Sequence, residues 1–168
     1  MNLPLETIVS GLCAKNAGFN LVHFRDATHS KNAPAHFWVS ISVDNDRHLL
    51  LSIVTTQMAR LEREYIRQNI ESALDCLVPL SNSDLNAITT NCVIDCNATM
   101  LLTTLELVAK IDTTYYSAAS KHNFDFIHND KDFDVELKKR IISAIRNSPK
   151  VTLDVKECAD KLYGDNVY

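Results

Sequence analysis

The sequence predicts an α+β fold, in which a strand-rich region is followed by a helical tail. Apolar residues in strand-like patterns dominate residues 19–96, with one short helical pattern inserted. Two amphipathic helical patterns lie near the C-terminus, and no internal repeat is present. The chain has 168 residues, of which 46% are hydrophobic, and this suits one domain with an ordinary core.

The first part of the chain predicts a helix, a strand and a hairpin. Residues 4–16 form the helical pattern, and Gly18 follows it as an exit signal. Residues 19–25 alternate as a strand does, and a polar loop follows them. The strands 36–43 and 48–56 are joined by Asp44-Asn45-Asp46-Arg47, whose Asp and Asn residues favour a turn.

The middle of the chain alternates between helix and strand patterns. Residues 57–68 place Met58, Leu61 and Tyr65 on one helical face. The apolar runs 74–80 and 91–96 predict two further strands. A helix at 103–111 is predicted to begin at Thr103, with Glu106 at the capping-box position.

The tail is predicted to contain two helices after a connection at 120–134. The first, at 132–149, turns an apolar face inward, and so does the second, at 152–164. The inward residues are Leu137, Ile141, Ile142 and Ile145 in the first helix and Val155, Cys158, Ala159 and Leu162 in the second.

Composition and motifs exclude several classes of protein. No apolar run approaches the length of a membrane span, and the N-terminus lacks the basic start of a signal peptide. Five cysteines without zinc-site spacing suggest reduced thiols, and we expect a cytoplasmic protein. With three glycines the chain has no glycine-rich phosphate loop, and it has no hydrolase, zinc-protease or kinase motif.

Charge is distributed unevenly along the chain. The net charge is −4, which argues against a general nucleic-acid coat. Residues 21–70 nevertheless carry a slight positive excess, and four of the six histidines lie there: His23, His29, His36 and His48. Two interpretations stay open: this half binds a polyanion, or the difference between the halves is incidental.

Three short motifs in the strand-rich region resemble those of one known family. A strand ending at Ser42 is followed by a strand ending at Thr55-Thr56-Gln57. A later polar turn precedes a short strand that ends Asp95-Cys96-Asn97, and a helix follows. These features resemble the PemK/MazF-like toxin family of type II toxin–antitoxin systems, over roughly residues 19–111.

The resemblance implies a fold, an activity and partners. The fold would be an SH3-like small β-barrel at 19–111, preceded by an N-terminal helix at 1–18. The helical tail is extra to the family, and we expect the extension at 112–168 to pack on the barrel. The activity would be cleavage of single-stranded RNA without a metal or other cofactor. The partners would be a cognate antitoxin and a second copy in a homodimer, with no membrane involved.

The chain departs from this family at one position that bears on chemistry. The family usually has an Arg before the strand that ends in Ser, and here that position is His36. Histidine titrates near neutrality, so His36 is a candidate acid or base. We expect catalysis by His36, Thr55 and Lys31. The candidates for RNA binding are His29, Ser42, Thr56, Gln57, Arg60 and Arg63.

Each of these assignments has a structural alternative. His36 can be an ordinary solvated strand residue, and the Thr pair can reflect β-propensity beside a turn. Trp38 and Phe37 are candidates for stacking on RNA bases, although one of them is expected to face the core. The histidine spacings are irregular, and no metal site is expected. The alternative function is a non-catalytic barrel that binds a protein or nucleic-acid partner.

Overall fold

The computed structural model describes residues 3–55 and 57–166, and within them the chain is α+β. The elements in chain order are α1 (Leu5–Leu12), β1 (Phe19–Phe24), β2 (His36–Ser42), β3 (Arg47–Val54), α2 (Met58–Arg67), β4 (Leu77–Leu80), β5 (Cys92–Thr103), α3 (Thr104–Lys110), β6 (Phe124–His128), α4 (Val135–Asn147) and α5 (Leu153–Gly164). Two 3₁₀ helices lie at Glu71–Cys76 and Asp130–Asp132. None of the helices in this part of the chain has the length and apolarity needed to cross a membrane.

The six strands form one antiparallel sheet in the order β4-β5-β3-β2-β1-β6. The strands β4 and β6 are its edges, and no pairing of described residues joins them. The closed barrel expected from the resemblance is therefore not formed. Closure requires the two edge strands to pair along their length. The edge strand β4 has four residues, and one of them is Pro79, which has no backbone N–H to donate.

Close contacts divide the chain into two compact units. The described part of the first unit is residues 3–50 and 101–130. The described part of the second unit is residues 51–55, 57–100 and 131–166. Both β3 and β5 pass from one unit into the other along the chain. The predicted segments 19–111 and 112–168 are each divided between the units, and the predicted domain boundaries stay a prediction.

The first unit is built around β1. This strand pairs with β2 from Phe19 opposite Ile41 to Phe24 opposite His36. On its other side it pairs with β6, with a register shift between Leu21 and Val22. The helix α1 packs against α3 and β2. The buried apolar residues of this unit include Val9, Phe19, Leu21, Ile41, Leu49 and Leu107.

Gly18 is required where the chain enters β1. Its φ of 63° lies in the left-handed region, and a Cβ there would collide with the Asp130 carboxylate. That carboxylate accepts a hydrogen bond from the Phe19 N–H at 2.8 Å. The predicted role of Gly18 as the residue just past the helix is different in detail, because α1 ends at Leu12.

The second unit is built around the two C-terminal helices. The helix α4 packs against α5, against β4 and against the 3₁₀ helix Glu71–Cys76. All eight residues predicted to face inward from these helices are buried, as expected from their spacing. In α2, Tyr65 is buried, and Met58 and Leu61 are half-buried on the predicted face.

Several elements differ from their predicted bounds. The predicted strand 74–80 starts at Leu77, because its first residues belong to the 3₁₀ helix. The predicted strand 91–96 continues to Thr103. The connection predicted at 120–134 contains β6. The capping box at α3 is confirmed: Thr103 Oγ1 accepts from the Glu106 N–H, and the Glu106 carboxylate accepts from the Thr103 N–H.

Candidate functional site

The candidate site in the first unit lies where β1 ends and β2 begins. The two strands are joined by the loop 25–35, and His36 is the first residue of β2, opposite Phe24. The His36 side chain is half-buried. Its ring lies across from the His29 ring, which comes from the loop, with the two centroids 6.2 Å apart and the planes 80° to each other. The two histidines are seven positions apart in the sequence, and the turn of this loop brings them together.

Asp26 organises the base of the loop. Its carboxylate is buried and lies 2.5 Å from Lys110 Nζ and 3.8 Å from His29 Nε2. Its other oxygen accepts hydrogen bonds from the Thr28 N–H at 2.8 Å and the Thr28 hydroxyl at 2.7 Å. Burial alone would raise the pKa of Asp26, but the Lys110 and Thr28 hydrogen bonds outweigh it and hold the pKa below 3.8. Asp26 is therefore an anion beside His29.

Several causes act together on His36. Burial lowers its pKa below the ordinary 6.5, and the nearby charges of His29 and His23 lower it further. The Asp26 carboxylate opposes these effects without reversing them. At neutral pH the His36 imidazole is therefore uncharged, and it has a nitrogen lone pair that can accept a proton.

His23 lies on the other face of the β1–β2 pair. Its ring is 4.8 Å from the ring of Phe37, its cross-strand partner. Its Nδ1 lies 3.6 Å from an Asp125 carboxylate oxygen on β6. A third histidine and a second carboxylate thus belong to the same end of the sheet.

Arg25 holds the loop that carries Lys31. Its guanidinium bonds to the Asp112 carboxylate, at 2.8 Å from Nε and 2.5 Å from Nη2, and lies over the Tyr115 ring. Its Nη1 also donates to the Lys31 carbonyl at 2.9 Å. The Lys31 side chain is exposed and makes no hydrogen bond or ion pair with the part of the chain that the structure describes. A fixed backbone thus carries an available ammonium group.

Ser42 lies at the far end of β2 from His36. At ~3.3 Å per residue, six residues of strand separate the two by roughly 20 Å. Ser42 is buried, and its hydroxyl accepts a hydrogen bond from the Gly18 N–H at 2.9 Å. Its own N–H donates to the Gly18 carbonyl at 3.0 Å. These contacts give Ser42 a structural role, and its expected contact with RNA stays a prediction.

The remaining predicted site residues lie in the second unit, except for one that the structure does not describe. Thr55 is half-buried in the bend after β3. Gln57 precedes α2, and its side-chain oxygen accepts a hydrogen bond from Arg60 Nη1 at 3.2 Å. Arg63 is exposed on α2. Thr56 lies outside the described residues. The roles of these four residues and of Arg60 stay predictions.

Trp38 belongs to the core. The sequence predicts that one of Phe37 and Trp38 faces the core, and that residue is Trp38. It is 5% exposed, stacks on Phe24 at 5.0 Å and donates from Nε1 to the Phe24 carbonyl at 3.3 Å. Lys110 Nζ lies over its ring at 5.6 Å. Of the two aromatic candidates for RNA stacking, only Phe37 keeps a partly exposed ring.

The Asp95-Cys96-Asn97 segment forms a buried polar network in the second unit. The Tyr65 hydroxyl donates to the Asp95 carboxylate, with O···O distances of 2.9 and 3.1 Å. Asn97 donates to the Ala73 carbonyl and accepts from the Ser148 hydroxyl, both at 2.8 Å. Burial raises the pKa of Cys96 well above 9, so its thiol is protonated. The segment fastens β5 to its surroundings and exposes no reactive group.

Sequence reasoning missed Asp26 and Lys110 as parts of the site. Asp26 follows directly on the predicted strand, and a carboxylate at a strand end beside histidines is a signal that could have been used. Lys110 ends a helix 84 positions later (110 minus 26), and nothing local indicates that it meets Asp26. The ion pair depends on the fold that brings α3 to this loop.

The described residues contain no group of three or more His, Cys, Asp and Glu side chains placed to hold a metal ion. Comparison with protein-family models, with curated proteins and with solved structures gives no match to this chain.

Proposed function

We propose that the chain cleaves single-stranded RNA by acid–base catalysis, with His36 as the general base and His29 as the general acid. The observation that carries the proposal is the His29–His36 pair, whose rings are 6.2 Å apart. Two imidazoles this close can both reach the same phosphodiester, one as the base and the other as the acid. The pKa of His36 is held below its ordinary value, and His29 lies 3.8 Å from an oxygen of the Asp26 carboxylate.

Each side chain has a defined part in the proposed reaction. His36 takes the proton of a ribose 2′-hydroxyl, and the 2′-oxygen attacks the adjacent phosphorus. The bond from phosphorus to the 5′-oxygen breaks, and that oxygen takes a proton from His29. The products are a 2′,3′-cyclic phosphate and a 5′-hydroxyl. The Lys31 ammonium offsets the negative charge that builds on the phosphate oxygens, in place of the Arg that the related toxins use.

Asp26 and Lys110 support the His29–His36 pair without taking part in the reaction themselves. The Asp26 carboxylate lies 3.8 Å from His29 Nε2, within reach of an ion pair with the protonated ring. Lys110 and Thr28 keep that carboxylate ionised and in place. Asp26 and Lys110 are positioning residues, because neither needs to touch the RNA.

The wider biology of the proposal comes from the resemblance alone. We propose a cytoplasmic toxin of a toxin–antitoxin pair, acting as a homodimer and neutralised by a cognate antitoxin. In this interpretation the open sheet is a variant of the SH3-like barrel of the PemK/MazF-like family. The sequence motifs Thr55-Thr56-Gln57 and Asp95-Cys96-Asn97 support this part of the proposal.

A second function is favoured by a specific observation at Ser42. The family places this Ser at the cleft, whereas here its hydroxyl is buried and bonded to Gly18. With the family's Arg also absent, a domain that binds a partner without cutting RNA accounts for these two changes. This alternative predicts a folded protein that leaves RNA intact.

Induced expression in a bacterial host tests the proposal. We expect the wild type to arrest growth and to fragment total RNA, and His36→Asn to abolish both effects at equal protein level. Lys15→Gln is the control, since Lys15 is exposed in the turn after α1 and away from the loop 25–35 in sequence. Normal growth and intact RNA with the folded wild type would favour the binding domain instead.

A further inference from the structure

A cleft in the first unit lies between α1 and the segment Tyr116–Phe124. This cleft has a volume of about 480 Å³. Small-molecule sites in proteins commonly have volumes of roughly 300–1,000 Å³. None of the residues that form it was assigned a role above, so the cleft is independent of the proposed cleavage site.

One wall of the cleft is apolar. It is formed by Leu3, which precedes α1, by Leu5 and Ile8 of α1, and by the rings of Tyr116 and Phe124. Leu3 is 60% exposed and Tyr116 is 62% exposed, so two large apolar side chains meet water at the same place. Exposed apolar surface that is concentrated in a concavity indicates a binding site more strongly than scattered exposed residues do.

The other wall is polar and positively charged. It is formed by Lys121, His122 and Asn123, and no acidic residue lines the cleft. Within the part of the chain that the structure describes, neither the Lys121 ammonium nor the His122 imidazole makes a hydrogen bond or an ion pair. The lining therefore offers uncompensated positive charge beside an apolar surface.

The turn that carries these groups is fixed by its backbone. The Lys121 N–H donates to the Ser117 carbonyl at 2.8 Å, and the Ser117 N–H donates to the His122 carbonyl at 2.8 Å. Lys121 itself takes a left-handed conformation, with φ 58°. A turn closed by two hydrogen bonds presents its side chains with less loss of freedom on binding than an open loop would.

We propose that this cleft binds a small amphiphilic carboxylate, with the apolar body against α1 and the carboxylate on Lys121. The apolar wall favours a hydrocarbon or aromatic body, and the size of the cleft favours a small molecule. The absence of acidic lining residues and the available ammonium favour an anionic head group, held by a charge-assisted hydrogen bond. The proposal does not rest on RNA cleavage.

Calorimetric titration of the full chain with decanoate tests this proposal, with decanol as the uncharged match. We expect saturable binding of decanoate and about tenfold weaker binding of decanol, because the alcohol lacks the charge that Lys121 recognises. Lys121→Gln should weaken decanoate binding by about tenfold and leave decanol binding unchanged. Ile8→Glu places a carboxylate on the apolar wall and should abolish decanoate binding.

The control is Lys15→Gln, which removes an exposed Lys outside the cleft and should bind decanoate as the wild type does. Thermal unfolding of each variant confirms that it is folded before it is titrated. Absence of decanoate binding by the wild type would overturn the proposal. Equal binding of decanoate and decanol, or equal losses with Lys121→Gln and Lys15→Gln, would overturn it as well.

Discussion

At the scale of single residues, the properties of His36 come from its neighbours more than from its type. An isolated histidine is half protonated near pH 6.5, whereas burial and the charges of His29 and His23 hold the pKa of His36 below that value. The sequence supplies the histidine and its position at a strand start. It does not supply burial, and it does not show which other charges lie near.

The pKa of His36 predicts how RNA cleavage depends on pH. A general base works only when deprotonated, so kcat/KM should fall as the pH drops through the His36 pKa, with a midpoint below pH 6.5. His23→Gln removes one of the positive charges that lower this pKa, and the midpoint should move to higher pH. The measurement is kcat/KM against pH on a short RNA. A midpoint above 6.5 in the wild type would exclude His36 as the base.

His48 predicts a pH dependence of stability that does not involve the site. It is fully buried, its Nδ1 lies 2.9 Å from Cys13 Sγ, and its Nε2 has no hydrogen-bond partner among the described residues. Burial lowers its pKa from 6.5 to about 4, against the smaller opposing effects of the Asp46 and Glu106 carboxylates. The unfolded chain therefore binds a proton on His48 at a higher pH than the folded chain does.

Stability should consequently be lost as the pH falls from 6.5 toward 4. From pH 7 to pH 5 the expected loss from His48 is about 2 kcal/mol of unfolding free energy. Urea unfolding at the two pH values measures it, and His48→Leu, which cannot titrate, should show a loss smaller by that amount. If the wild type and His48→Leu lose equal stability over this range, the folded protein tolerates a charge at His48.

At the scale of elements, the agreement between sequence and structure follows the strength of the local pattern. The helices α4 and α5 carry apolar residues at helical spacing over three turns, and they form with the predicted faces buried. The strand β6 has only five residues. Although Phe124, Phe126 and Ile127 favour β-structure, the polar residues within it and on both sides of it make the local pattern weak. It forms because β1 offers an unpaired edge, which is a property of the fold and not of residues 124–128.

Ambiguity between helix and strand explains another difference. The run 74–80 is apolar and short, and periodicity cannot separate a buried strand from a tight helical turn in such a run. Its first residues belong to the 3₁₀ helix, in which the Ala73 N–H bonds to the Ile70 carbonyl at 2.9 Å and the Ala73 carbonyl accepts from Asn97. The partner Asn97 is distant in sequence, and local reasoning cannot take it into account.

The capping box of α3 allows a test at this scale. Thr103→Ala removes the hydroxyl that accepts the Glu106 N–H at 3.2 Å and leaves that group without its partner. We expect a loss of about 1 kcal/mol of unfolding free energy. The control is Thr113→Ala, an exposed position after the same helix. Chemical denaturation measures both, and equal effects of the two changes would show that the cap contributes nothing beyond a general Thr-to-Ala effect.

At the scale of the whole molecule, the sequence predicts the α+β class but not the form of the sheet. The strands and their antiparallel hairpin follow from local patterns, whereas closure into a barrel depends on how two edge strands meet. Here the edges are β4, which is four residues long and contains Pro79, and β6, which is five residues long and lies in a segment predicted as a connection. The barrel was expected from the resemblance, and the observed pairing of the strands gives an open sheet instead.

The candidate site was predictable in the same partial way. His36, His29 and Lys31 lie within eight residues of each other, and their proximity in the loop follows from the sequence. The Asp26–Lys110 ion pair and the contribution of His23 to the His36 pKa depend on packing between distant segments. Ser42 belongs to a predicted motif, but its hydroxyl accepts a hydrogen bond from the Gly18 N–H, and the motif does not indicate this contact.

The most direct test of the central claim uses the purified 168-residue chain and a defined single-stranded RNA in the presence of EDTA, with the product ends identified by mass spectrometry. We predict 2′,3′-cyclic phosphate and 5′-hydroxyl ends with the wild type and with Lys15→Gln, and intact RNA with His36→Asn and His29→Asn. Intact RNA with the folded wild type would contradict the account. Cleavage by His36→Asn at the wild-type rate would contradict it equally.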